Sequence, residues 1–176
     1  MRKIIFLLSL VFLAGCFESA PTTTVSVAGS YHLWEEKEFS ISVPEGYERV
    51  MPGQADLTLP QDFVAGYSEV RLDEKFATTI TIHRESLQAN ITSQTYALVL
   101  RDASANATDY REIDFKDNNG TYLHKFETKL STSEDKIIVT QSAFSHNSKG
   151  WVVSCATADA TTDICDKTVS SFVLKQ

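Results

Sequence analysis

A succession of short β-prone segments, each closed by turn residues, is the feature that most constrains how this chain can fold. Segment 38–43 alternates apolar residues with serines, which is the period of a half-buried strand, and Pro44-Glu45-Gly46 ends it. Segment 77–82 is dense in β-branched residues. Asn119-Gly120 favours the positive φ angles of a hairpin turn between two further strand-like runs. The pattern predicts a mainly antiparallel sheet.

The strand predictions extend over most of the chain after residue 30. Strands are expected at 38–43, 77–82, Tyr110–Phe115, Thr121–Thr128, Lys136–Phe144 and Trp151–Ala156. Phe172–Leu174 is expected to be a last strand or an extended tail. The runs that begin at Lys136 and Trp151 form a predicted hairpin with Asn147 and Gly150 in its connection. Prolines and glycines interrupt the region 50–75, which is predicted to be irregular apart from a strand near 67–72.

Two segments have the apolar spacing of amphipathic helices. The first covers about 93–103, with Thr92 or Ser93 available as the N-cap, and the second lies within Asp159–Ser170. An antiparallel sheet flanked by helices belongs to the α+β class. The strand pattern excludes a parallel nucleotide-binding fold.

Several of these segments resemble one known family. The strand Phe39-Ser40-Ile41-Ser42-Val43-Pro44-Glu45-Gly46-Tyr47, the run Gly150-Trp151-Val152-Val153-Ser154-Cys155 and the final Ser171-Phe172 are similar to the Mog1/PsbP-like superfamily. Tyr47 stands where that family usually has Trp. The resemblance covers most of residues 31–175 and implies an α/β/α sandwich on an antiparallel sheet, as in envelope lipoproteins of the DcrB group. It also implies non-enzymatic binding or assembly support, because the superfamily shares no catalytic residue.

The N-terminus has the layout of a cleaved secretion signal. Arg2 and Lys3 precede an apolar run from Ile4 to Ala14, which is too short to span a bilayer. Leu13-Ala14-Gly15-Cys16 resembles the lipobox of bacterial lipoproteins, which implies that Cys16 is acylated and becomes the first residue. Two or three acyl chains would anchor the chain stably. An ordinary secretory signal with an incidental Cys16 is the alternative.

This reading divides the chain into three parts. Residues 1–15 are the lipoprotein signal peptide, residues 16–30 are the lipidated cysteine and a flexible Ser/Thr/Ala-rich tether, and residues 31–176 are the Mog1/PsbP-like domain. In lipoproteins an Asp after the cysteine often retains the protein in the inner membrane, and here Phe17 follows. The expected location is the cell envelope, with the outer membrane facing the periplasm favoured if the organism has two membranes.

Two cysteines remain when Cys16 is acylated. Cys155 and Cys165 are ten positions apart and would lie in an oxidising compartment, which favours a structural disulfide. The competing reading is a metal or redox pair, but neither cysteine belongs to a C-x-x-C motif or lies near a histidine in sequence.

The charge of the chain argues against nucleic-acid binding. Removing residues 1–15 takes away Arg2 and Lys3, so the formal charge falls from −7 to −9. Binding to nucleic-acid phosphates needs clustered Lys and Arg. No nucleic-acid partner is therefore expected.

Residue types that carry chemistry occur without the spacing that the chemistry needs. The four histidines are far apart in sequence and are predicted to lie on the surface or in loops: His32, His83, His124 and His146. Adjacent acidic pairs such as Glu35-Glu36, Asp73-Glu74 and Glu134-Asp135 are typical of solvated caps, and Asp117–Gly120 of a plain turn. Four aromatic residues either mark a binding face or close the ends of the core: Tyr31, Trp34, Phe63 and Tyr67. No catalytic residue, metal or cofactor is expected.

These observations predict a membrane-anchored extracytoplasmic lipoprotein that acts as a non-catalytic protein-binding or assembly module of the cell envelope. Its expected contacts are the membrane, through the lipid, and an envelope protein partner. The alternative is a small-ligand carrier or an enzyme that acts on envelope components, with a site assembled from residues distant in sequence. The sequence assigns no ligand-binding residue.

Overall fold

The computed structural model describes residues 30–50, 62–69, 77–88, 91–129, 135–158 and 163–175. Cys16, the signal peptide and the tether as far as residue 29 lie outside the described residues, as do parts of 50–75. The strands are β1 (Tyr31–Glu35), β2 (Phe39–Pro44), β3 (Tyr47–Val50), β4 (Phe63–Glu69), β5 (Thr79–Ser86), β6 (Arg111–Asn118), β7 (Thr121–Lys129), β8 (Lys136–His146), β9 (Lys149–Thr157) and β10 (Val173–Leu174). The helices are α1 (Ser93–Ser104) and α2 (Ile164–Ser170).

The strands form two antiparallel sheets. The large sheet has seven strands in the order β3-β4-β5-β9-β8-β7-β6, and the small sheet has three in the order β1-β2-β10. Both predicted hairpins, β6 with β7 and β8 with β9, are present. The pairing of β10 with β2 joins the two ends of the domain, because Val173 lies opposite Ser40.

The two faces of the large sheet carry different cores, as the period of two along its strands requires. Trp151, Val153 and Cys155 on β9 belong to the main core, which lies between the large sheet, the small sheet and α2. Val152, on the opposite face of the same strand, packs with residues of α1. Helix α1 therefore covers one face, and α2 with the small sheet covers the other.

Helix α1 begins where the sequence predicts. The Thr92 hydroxyl accepts a hydrogen bond from the Thr95 N–H (3.1 Å), as an N-cap does. The buried residues Tyr96, Ala97 and Leu100 face β8 and the neighbouring β7. Packing of one helical stripe on a sheet face is what the three-and-four spacing indicates.

Helix α2 is fastened to the sheet at several points. The disulfide predicted from the cysteine spacing is present, because the Cys155 and Cys165 sulfurs are 2.06 Å apart and join β9 to α2. The Asp166 carboxylate accepts hydrogen bonds from the Lys125 ammonium (3.0 Å) and the Thr140 hydroxyl (3.1 Å). These contacts hold α2 over the middle of β7 and β8. The end of β7 that carries Leu123 is only partly covered.

Ser171, just after α2, completes the edge of β2. Its hydroxyl oxygen accepts a hydrogen bond from the Ser42 N–H (2.9 Å), and the hydroxyl donates to the Thr168 carbonyl (2.7 Å). The side chain therefore caps the helix and takes the place of a neighbouring strand. Only beyond Ser171 does the chain turn into β10.

Turn chemistry explains one hairpin prediction and corrects the other. Asn119 and Gly120 have φ angles of 54° and 83°, as an Asn-Gly turn requires. In the second hairpin, Asn147 and Ser148 have positive φ angles, whereas Gly150 lies inside β9 and not in the connection. A Cβ atom at Gly150 would overlap the ring of Tyr96, so this glycine permits close approach of α1.

The fold is α+β and antiparallel, but the sheets dominate it more than the prediction of a helix-flanked sandwich implied. Each face of the large sheet carries one helix, and the small sheet shares one of those faces. The sequence reading missed β1 and β3 and placed the strand near 67–72 too late, since β4 spans Phe63–Glu69. The helix predicted within Asp159–Ser170 is described from Ile164 onward.

Candidate binding groove

An open groove of about 380 Å³ lies where α2 and the small sheet stop covering the large sheet. Its apolar lining comes from Leu123, Phe144, Val169, Phe172, Val173 and Leu174. Its polar lining comes from Asn118, Thr121, Ser142, His146, Ser170 and Lys175. The lining is therefore half apolar and half polar, and a concave surface that offers both kinds of contact is a candidate binding site.

The floor of the groove is formed by β7 and β8. Leu123 lies opposite Ser142, and Phe144 follows two positions later on the same face of β8. Leu123 and Phe144 are only partly buried, and both pack against the main core. The floor is thus an edge of the main core that the described part of the chain covers only partly.

Phe172 forms the wall between the groove and the core. Its ring lies 5.2 Å from that of Phe39, 5.9 Å from Phe144 and 5.9 Å from Trp151. A side chain held by three aromatic neighbours has little rotational freedom. The groove therefore has a rigid aromatic side.

The opposite rim is β10, which is an edge strand of the small sheet. Val173 is 58% exposed, which is unusual for a valine in a strand. The Lys175 ammonium lies 3.1 Å from the Glu35 carboxylate, at the end of this rim. His146 also lines the groove, and its side chain is exposed.

A polar cluster around the buried His124 lies on the other face of the large sheet and corrects the histidine prediction. His124 is only 4% exposed, and its Nε2 lies 3.1 Å from the Tyr110 hydroxyl. That hydroxyl donates to the Glu112 carboxylate (3.2 Å), and the Arg101 guanidinium lies 4.0 Å from the same carboxylate. Sequence distance hid this cluster, because strand pairing brings its members together.

Burial controls the protonation of this cluster. Desolvation lowers the pKa of His124, although the nearby Glu112 carboxylate opposes the shift. Desolvation and the Glu112 carboxylate raise the pKa of Tyr110 to about 12. His124 is therefore neutral at pH 7, and its ring packs 4.7 Å from that of Phe126 as part of a core.

A second polar group lies beneath the start of α1. Burial, together with a hydrogen bond to the Glu85 carboxylate, raises the pKa of Tyr96 far above its usual value. Burial likewise raises the pKa of Glu85. Burial lowers the pKa of His83, which faces Asp62 at 3.6 Å. These groups tie α1 to β5.

Comparison with known proteins identifies a structural relative. No family model and no curated protein matches the sequence. The solution structure of cyanobacterial PsbP (CyanoP) from Synechocystis superposes with a TM-score of 0.58 at 14% identity, over 92% of this chain and 100% of that one. The chain has a PsbP-like fold. A protein of unknown function from Pseudomonas aeruginosa is less similar, with a TM-score of 0.42 at 12% identity over 73% of this chain and 83% of that one.

The four aromatic residues considered in the sequence analysis lie in different parts of the PsbP-like fold. The aromatic residues Trp34 and Tyr67 pack together at 5.3 Å as part of the main core, while Phe63 contacts His83. Tyr31 is half-buried on β1. None of these four lines the groove; Trp34 and Tyr67 belong to the main core instead.

The acidic candidates likewise serve structure. Glu35 and Glu36 pair with Lys175 and Arg49, respectively. The Asp117 carboxylate accepts a hydrogen bond from the Gly120 N–H (2.8 Å), which makes this segment a turn. Asp73-Glu74 and Glu134 lie outside the described residues. Among those that are described, no group of three or more His, Cys, Asp or Glu side chains is placed to hold a metal ion.

Sequence reasoning missed the groove of the PsbP-like domain. The sequence feature that could have indicated the groove is the apolar terminal run Phe172-Val173-Leu174, all of which lines it. This run forms a strand of only two residues. Neither helix within the described ranges is long and apolar enough to cross a membrane.

Proposed function

We propose that this chain is a membrane-anchored extracytoplasmic lipoprotein that acts as a non-catalytic protein-binding or assembly module of the cell envelope. The observation that carries the binding role is the groove beside β10, an apolar surface on a rigid floor. Apolar concavities rimmed by polar groups mark interaction sites on protein surfaces.

The anchor is supported by the sequence alone. Leu13-Ala14-Gly15-Cys16 follows a basic start and an apolar run, which is the arrangement of a lipoprotein signal. With residues 16–30 as a tether, the domain could reach up to about 50 Å from the membrane. A partner would therefore be an envelope protein within that distance.

A non-catalytic role is supported by the character of the groove. Its polar lining is made of Asn, Ser, Thr, His and Lys side chains, and His146 and Lys175 are its only titratable groups among the described residues. General acid–base or nucleophilic chemistry needs a base within hydrogen-bond reach of a second reacting group. The buried His124 cluster packs between aromatic rings on the opposite face of the sheet.

A small-ligand carrier is the second candidate, because about 380 Å³ lies within the range of ligand pockets. The two roles differ in what co-purifies with the protein. A carrier brings down a stoichiometric small molecule, which solvent extraction and mass spectrometry would detect.

The direct experiment is chemical crosslinking in intact cells, followed by purification of the native lipidated chain. We expect one reproducible envelope protein, which should be lost when Cys16→Ser releases the chain from the membrane. Mass spectrometry of both forms checks the anchor itself, since wild type should carry acyl chains and Cys16→Ser should not. Repeated absence of a partner, or turnover of a defined substrate, would contradict the proposal.

A further inference from the structure

We propose that the groove binds an extended segment of the partner protein, with alternating apolar residues and acidic flanks, which adds to β10 as a fourth strand of the small sheet. This inference rests on the proposed function and specifies its binding mode. Strand addition at a sheet edge supplies main-chain hydrogen bonds for affinity and side-chain pockets for specificity.

The first argument comes from the hydrogen-bond register of β10. The Lys175 N–H donates to the Glu38 carbonyl (2.9 Å), on the β2 side of the strand. Antiparallel pairs alternate between bonded and non-bonded positions, so the neighbouring pair of Leu174 with Phe39 is non-bonded. The N–H and C=O of Leu174 therefore point away from β2 and into the groove, where an added strand would lie.

The second argument comes from the floor. Beside β10, the apolar side chains of Leu123 and Phe144 pack against the main core but are only partly buried, and both line the groove. Alternate residues of an added strand would be about 6.5–7 Å apart and would point at this floor. Alternating apolar residues would bury it, while the intervening residues would face solvent.

The third argument is charge. Among the described residues that line the groove, His146 and Lys175 are the titratable ones, and no Asp or Glu is present. This contrasts with a chain whose formal charge is −7. Lys175 pairs with Glu35 at 3.1 Å, but an ammonium has three donors, so two remain for a ligand carboxylate. Acidic flanking residues in the bound segment fit this rim.

The test begins with a phage-displayed library of random peptides, selected against the full lipidated chain in detergent micelles. We expect enrichment of peptides with apolar residues at every second position and acidic residues at the ends. Enrichment of the three-and-four spacing of a helix, or no enrichment, would overturn the proposal. So would co-purification of a stoichiometric small molecule in the groove.

Two matched variants then test the location. Thr121→Trp fills the rim of the groove and should abolish binding of the selected peptide, whereas Gln94→Trp, exposed on α1 at the opposite face, should leave it unchanged. Lys175→Glu should weaken an acidic-flanked peptide by about five- to tenfold and strengthen the same peptide with lysine flanks. The assignment is refuted if Thr121→Trp and Gln94→Trp change the affinity for the peptide equally. It is also refuted if Lys175→Glu does not reverse the preference between acidic and lysine flanks.

Residue-level hydrogen exchange tests the strand addition. The Leu174 amide should exchange quickly in the free protein and become protected when the selected peptide saturates the chain, while the Lys175 amide should be protected in both states. An unprotected Leu174 amide in the complex would refute strand addition. If a partner is captured in cells by wild type and equally by Thr121→Trp, the binding-module function stands and this inference fails.

Discussion

Gly150→Ala tests the account of how α1 packs on the large sheet. A Cβ atom built at Gly150 would meet Cε1 and Cε2 of Tyr96 at 2.8 Å each, with the nearest contacts all on that one ring. The ring is 4% exposed and cannot move without disturbing Leu100, Ala143 and Val152. Overpacking of this kind costs about 1–3 kcal/mol, although Ala is otherwise better than Gly in a strand by about 0.5–1 kcal/mol.

The cost should depend on Tyr96. In a Tyr96→Ala background, itself destabilised by about 3–5 kcal/mol, the clash disappears and Gly150→Ala should be neutral or slightly stabilising. The coupling between the two sites should therefore equal the overpacking cost, about 1–3 kcal/mol. Gly46→Ala is the control, because Gly46 has a φ of 86° and no atom within 4 Å of its Cβ position, so its cost should be the same in both backgrounds.

Urea unfolding of the Cys16→Ser chain, followed by the combined fluorescence of Trp34 and the buried Trp151, measures all four combinations. The reasoning about close approach is refuted if Gly150→Ala costs as much in the Tyr96→Ala background as in wild type. It is also refuted if Gly150→Ala stabilises the wild-type protein.

Three further outcomes follow from the structure. Replacing Cys155 and Cys165 together by Ala should reduce the free energy of unfolding by about 3 kcal/mol, because their disulfide closes a loop with a sequence separation of 10. Urea unfolding under oxidising and reducing conditions measures this loss. Burial lowers the pKa of both His124 and His83, so the unfolded state binds more protons and stability should fall as pH drops below about 6.5, by at most about 1.4 kcal/mol per unit for each histidine; His124→Gln should remove its own share of that slope. Thr92→Ala should cost about 1 kcal/mol through the lost N-cap, and Thr92→Ser should restore it.

Local sequence signals predicted the parts of the fold that depend on local physics. The alternation in 38–43 corresponds to β2, and Asn119-Gly120 forms the predicted hairpin turn. The capped helix after Thr92 begins at Ser93. In each case the local backbone preference and the pattern of buried residues favour the same structure within a few residues. A short stretch of sequence is therefore sufficient to predict that structure.

The missed features depend on contacts between distant segments. Strand β1 has three exposed residues, His32, Leu33 and Glu35, which do not alternate with buried ones, and it is a strand because it pairs with β2. His124 is buried because β6 and β7 pair and bring Tyr110 over it. The groove exists because β10 pairs with β2 and stops short of covering β7 and β8. No sequence window contains these pairings.

Site-specific photo-crosslinking in intact cells tests the central claim most directly. A photoreactive amino acid placed at Thr121, on the groove rim, should crosslink to one envelope protein, and the crosslinked peptide of that protein should be an acidic-flanked segment with alternating apolar residues. The same probe at Gln94, on the opposite face, should not crosslink to that protein. Crosslinking from Gln94 but not from Thr121, or from neither position, would contradict the account of this chain as an anchored binding module that acts through its groove.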